Sequence, residues 1–248
     1  MAGHFARRTL VQGTPRVPRL PQNLIDFAGT LPEKRRLRYL AARSLLAELM
    51  LRVYGITQLP ELTASSCGRP RFADPDLPDF SIGYAGSIVG VLLAEEGGKA
   101  GLGMEIIRAH SRQTMDLYLR DLSSGERAWI NAQTDPVEAV TQLWVMRKSL
   151  LKLTDRAENP GDSLRLHPAS GRLRALNFPD IQAVSDVEPL LLWSCAFSPG
   201  SERLHLWELD ENESWVRLQE IQMNKANMGE RMLRLTSMPA ERVGSFQI

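Results

Sequence analysis

Cysteine is nearly absent from this 248-residue chain. Its two cysteines, Cys67 and Cys195, stand far apart with no CxxC partner, which excludes a disulfide framework and a thiolate zinc site and fits a reducing cytosol. Histidine is scarce as well: His4, His110, His167 and His205 are isolated, with no HExxH or paired-ligand spacing. No apolar run approaches a membrane span, and the first residues carry arginines without the continuous apolar stretch of a signal peptide. We therefore expect a cytoplasmic protein. Charge of one sign is also missing, because 30 basic and 29 acidic residues leave a net +1. No global field draws the chain to nucleic acid or to a membrane, and no aromatic-plus-basic RNA-binding motif is visible. Any anion site has to be local.

What is present is a 43% hydrophobic, 24% charged composition, enough for one large core or two compact lobes. Thr30-Leu31-Pro32-Glu33 has the spacing of a capping box with an early proline, and Gly55 supplies a stop. A helix over about 33–54 follows, with Leu37, Leu40, Ala41, Ser44, Leu45 and Leu49 as its buried stripe and Arg35, Arg36, Arg38 and Arg43 on its outer face. Three extended segments, Phe80–Tyr84, Ile88–Ala94 and Leu102–Ile107, read as an antiparallel meander. A second helical region over about 111–154 is interrupted at Ser123-Ser124-Gly125 and Asp135-Pro136. Leu164–His167 and Arg172–Leu176 flank Ala169-Ser170-Gly171 like a hairpin, and Leu190–Phe197 reads as a buried strand. Helix-then-strands thus occurs twice, which predicts an α+β fold of two similar lobes, each a helix on an antiparallel sheet. The expected division is 1–109, 110–209 and an extension over 210–248, weakly helical from Glu211 to Asn224.

Four segments, taken in order, resemble the two-lobed 4′-phosphopantetheinyl transferases. Arg35-Arg36-Leu37-Arg38-Tyr39-Leu40-Ala41-Ala42-Arg43-Ser44-Leu45-Leu46 is similar to that family's R-R-x-x-x-L-A-G-R-x-L-L helix, and Gly68-Arg69-Pro70-Arg71-Phe72 to its G-K-P-x-F turn. Phe80–Gly86 stands where the family has F-N-x-S-H-S-G, while Gly101–Arg108 and Trp144–Lys152 correspond to G-x-D-x-E and W-x-x-K-E-x-x-x-K. The resemblance implies transfer of the phosphopantetheine arm of coenzyme A to a carrier-protein serine, which requires an anion cradle, a Mg²⁺ and a base. By resemblance, Arg36, Arg43, Arg69, Pro70, Tyr84, Gly86 and Lys152 would line the coenzyme A site. Glu105 and Lys152 would be the catalytic positions.

The departures fall on the metal and the base. Gly103 replaces the first acid of D-x-E, Glu105 keeps the second, and Lys148 replaces the helix glutamate, so two of three acidic ligands are gone. Trp144, Lys148 and Lys152 at i, i+4 and i+8 share one side of the helix. We expect Lys148 near Glu105, a weak or absent Mg²⁺ site at Glu105, and slow or absent transfer. A Lys148→Glu, Gly103→Asp double change is expected to restore some metal affinity. The expected role is a non-catalytic or impaired homologue that binds coenzyme A and a carrier protein or biosynthetic enzyme. The alternatives are an active transferase with Mg²⁺ on Glu105 and substrate phosphates, and a structural subunit or chaperone of a biosynthetic complex.

Overall fold

The N-terminal segment enters directly as strand β1 (Ala2–Thr9), followed by a short helix α1 (Gln22–Gly29) and the long helix α2 (Glu33–Tyr54). The computed structural model describes residues 1–13, 15–107, 110–154, 164–175, 178, 180–225 and 229–237. Arg108, Leu176 and the last eleven positions lie outside them. Helix α2 has the expected bounds, and Gly55 ends it in the left-handed region at φ 69°, donating to Leu51 O. Its cap differs from expectation: Thr30 closes the end of α1, with its hydroxyl donating to Phe27 O at 2.7 Å, and Pro32 precedes the first turn of α2.

A short ribbon, β2 (Leu62–Ala64) and β3 (Pro70–Phe72), leads into β4 (Asp79–Ala85), β5 (Ile88–Ala94) and β6 (Lys99–Ile106). Only β4 and β5 pair, through a two-residue turn whose Gly86 sits at φ 57°. The expected meander stops there, and β6 joins another sheet. The cause lies in two directly opposed glycines, Gly83 and Gly90: a Cβ on either would stand 2.9 or 2.5 Å from Met104 Sδ. The bare patch seats Leu102 and Met104, so β6 lies across the β4–β5 pair instead of beside β5.

The interruptions read in the second helical region become caps. Ser111 opens α3 (Arg112–Arg120), Ser123 forms a reciprocal box with Glu126 at α4 (Ser124–Asn131), and Asp135 accepts from Val137 and Glu138 at α5 (Pro136–Leu153). Strands β7 (Leu164–His167) and β8 (Arg172–Ala175) form the expected hairpin, and β9 (Gln182–Val187), β10 (Leu191–Ser198), β11 (Arg203–Leu209), β12 (Trp215–Gln222) and β13 (Leu233–Ser237) complete the chain. The stretch expected to be weakly helical thus contains strand β12: pairing with β11 overrides a mild helical preference.

One sheet runs β12-β11-β1-β5-β4 and the other β6-β10-β9-β13-β8-β7. Helix α2 covers the first with Leu40, Leu45 and Leu49 against Phe80, Val91 and Leu93. Phe5, Leu92, Leu102, Trp193 and Phe197 fill the space between the sheets, and α5 covers the far side with Leu143, Met146 and Leu150. The result is a two-lobed α+β architecture in four layers. The partition of strands does not follow the divisions at 109/110 and 209/210, because β6 pairs with β10, while β11 and β12 return to the first sheet and β13 to the second. Among the described residues no helix is long and apolar enough to cross a membrane.

Candidate functional site

Two sheet edges meet where the lobes join. Strands β4 and β6 are each the last strand of their sheet, and alternation along β6 points Leu102 and Met104 into the inter-sheet core and Gly101, Gly103 and Glu105 toward α5. The helix comes unusually close. A Cβ at Gly101 would stand 2.0 Å from Ser149 O, and one at Gly103 would stand 2.5 Å from Val145 O. Both obstacles are helix backbone, which cannot swing aside as a flexible side chain would.

The free edge of β6 carries backbone groups that need partners. The Ala100 and Leu102 N–H groups donate to Asp79 Oδ2 at 2.9 Å and Ser81 Oγ at 3.0 Å, both on β4. The Ala100 carbonyl accepts from Arg69 Nη1 at 3.0 Å, and the Leu102 carbonyl accepts from Lys152 Nζ at 2.6 Å. The Lys152 ammonium also donates to Ile82 O on β4 at 2.8 Å, so it bridges the two strands. Arg69 adds bonds to both Asp79 oxygens at 2.7 Å and to Lys152 O at 2.6 Å, near the negative end of α5. Burial first, then the nearby Lys148 and Arg69 cations, bring the Lys152 ammonium down to about 8.

The expected anion-binding residues therefore fall into separate groups. Arg36 closes the end of α1, donating to Ala28 O, Gly29 O and Leu31 O. Arg69 and Lys152 hold the β6 edge, and Pro70 starts β3. Arg43 and Tyr84 do converge. The Arg43 guanidinium lies 3.5 Å from the centre of the Tyr39 ring, its Nη1 donates to Tyr39 O at 3.4 Å, and its charge acts on the Tyr84 phenol. Burial raises the Tyr84 phenol, against the lowering effect of Arg43 and Arg38. Arg38 donates to Gly86 O at the adjoining turn, and Arg43 Nε is buried without a hydrogen-bond partner among the described residues. Such a cation-and-phenol group can receive an anion.

The expected metal positions do not assemble. Glu105 is half-buried, and its Oε1 accepts from the Ile106 N–H at 3.3 Å. Lys148 places its ammonium 3.4 Å from the centre of the Trp144 ring, and Trp144 packs on Tyr118 at 4.4 Å. Among the described residues no group of three or more His, Cys, Asp or Glu side chains is arranged around a cation position. This donor set does not fit Mg²⁺ by itself. An acid at 103 would meet the Val145 carbonyl, so Gly103→Asp requires β6 or α5 to shift.

Sequence reading missed Asp79 and Ser81, although their i, i+2 spacing on a strand puts both on one side. It also missed the buried Glu126–Arg147 pair at 2.6 Å, and the tie in which Arg7 donates to Glu188 at 2.6 Å while Trp193 Nε1 donates to the other Glu188 oxygen at 2.9 Å. The latter spans 181 positions and leaves no local signal.

Comparison with known proteins adds the relationship. The chain is 43% identical over 244 residues, 96% of each chain, to the uncharacterized protein YieE of Escherichia coli, in strain K12 and in strain CFT073. It is 30% identical over 136 residues to the 4′-phosphopantetheinyl transferase AcpT of Escherichia coli K12, covering 54% of this chain and 64% of that one. No family model matches.

Proposed function

We propose that this chain, which belongs to the family of the uncharacterized protein YieE, is a 4′-phosphopantetheinyl transferase-like protein that binds coenzyme A at the Arg43–Tyr84 group and transfers its arm poorly or not at all. Its partner would be a carrier protein or a biosynthetic enzyme presented to the cleft between the lobes. The partial similarity to AcpT supports the superfamily. One observation carries the loss of transfer: Gly103, at the place of the family's first acid, lies against the backbone of α5, where an added Cβ would stand 2.5 Å from Val145 O. Lys148 stands where the family glutamate would help hold a cation, and a protonated amine cannot act as a base.

Without a metal, binding depends on groups this chain supplies. Arg43 offers a planar, permanently charged fork, and Tyr84 a neutral hydroxyl donor. Lys152 and Arg69, bonded to backbone carbonyls in the free protein, add further positive charge.

The test is a calorimetric titration with coenzyme A, with and without magnesium, beside incubation of a carrier protein with coenzyme A, magnesium and this protein. Magnesium-independent binding and no mass gain on the carrier are expected. Gain of one phosphopantetheine arm would establish an active transferase, and no binding in either titration would leave an interaction protein without a coenzyme.

A further inference from the structure

In an ordinary sheet the edges of β4 and β6 would be joined by a backbone ladder. Here side chains join them: Asp79 and Ser81 reach from β4 to the Ala100 and Leu102 N–H groups, and Arg69 and Lys152 take the two carbonyls. Side chains with rotatable bonds can release and re-form one contact at a time without breaking the ladders inside either sheet. Lys152 holds the central position, since its ammonium touches carbonyls from both sheets, Ile82 O and Leu102 O. The Arg7–Glu188 tie runs from β1 to a residue just past β9 and involves neither edge strand.

We propose that the β4–β6 seam is the line along which the two lobes open, and that Lys152 is its pin. The charged groups facing that ammonium are Lys148 on its own helix and Arg69, itself held by Asp79 of β4. Two cations pressed toward a third leave it dependent on carbonyl acceptors. An anion entering the cleft competes with Ile82 and Leu102 for the same ammonium, so binding and lobe opening are coupled. This last step rests on the anion-binding reading proposed above.

The test is amide hydrogen exchange on the full chain, read at Ala100 and Leu102, with β9 and β10 amides as reference. Lys152→Met keeps the aliphatic stem and removes the donors. It should speed exchange at both amides by about tenfold or more while the reference amides hold their rates. Unchanged rates, or equal acceleration of β9 and β10, would overturn the pin. Ser81→Ala is the second variant: Leu102 should speed up with Ala100 following, and a rise confined to Leu102 would rule out a cooperative seam. Added coenzyme A should accelerate both amides. If calorimetry detects binding and the amides do not respond, the coupling fails while the anion-binding reading stands. If coenzyme A does not bind, that reading fails and the two variants decide the seam.

Discussion

The Cα of Gly103 is held so close to Val145 that a methyl group in its place would stand 2.5 Å from the Val145 carbonyl oxygen. Gly103→Ala should therefore destabilise the protein by about 1–3 kcal/mol, the range for overpacking against a rigid neighbour. Gly101→Ala, facing Ser149 O at 2.0 Å, should cost at least as much. Gly29→Ala, in the last turn of α1 with nothing within 4 Å, should be neutral or mildly stabilising. Urea unfolding midpoints separate the three.

Lys152 sets a pH dependence whose sign is opposite to that of an exposed ion pair. Its folded value of about 8 lies below the unfolded value, so between the two the unfolded chain holds the extra proton. Stability from this group should rise with pH from about 8 to about 10.4, and below 8 the charged form weighs against the fold. Lys152→Met should flatten that slope. Chemical denaturation at pH 7.5, 8.5 and 9.5 provides the comparison, and an unaltered slope in the variant would assign the effect elsewhere.

Glu126 is 1% exposed and receives Arg147 Nη2 at 2.6 Å, while Arg147 Nη1 donates to Leu164 O at 3.3 Å. Arg147→Met strands a buried carboxylate and should lower stability by about 3–5 kcal/mol. The Glu126→Gln, Arg147→Met double variant should recover part of that loss, since the remaining amide can still bond the Ser123 N–H that Glu126 Oε2 now accepts. Thermal melts of the two variants measure the coupling.

Arg36 and Arg43 lie on the same helix and should behave differently toward coenzyme A. Arg43→Ala removes the guanidinium beside Tyr84 and should weaken binding by about tenfold or more, the scale of a charge-assisted hydrogen bond. Arg36→Ala uncaps α1 and should lower the melting temperature while leaving the affinity near wild type. Equal effects of both on calorimetric affinity would argue against the Arg43–Tyr84 group as the anion site.

Helix bounds were largely legible, because their signals are local. Gly55, Ser123 and Asp135-Pro136 punctuate the chain through φ preferences and side-chain bonds to nearby N–H groups, which short windows contain. Thr30 misled for the same reason: a hydroxyl can cap the helix before it as readily as the one after. The convergence of Arg43 and Tyr84 was legible only through family resemblance, since 41 positions separate them.

The sequence by itself determined the α+β class and the alternation of buried faces, both carried by residue type and spacing. Tertiary structure alone decided that β6 would leave the first sheet, that β11 and β12 would return to it, and that Arg69 and Lys152 would hold carbonyls on a strand edge. Those outcomes depend on which open edges and bare patches meet in space. Such meetings follow from the whole packing of the chain, where a glycine opposite a glycine becomes a seat for Met104.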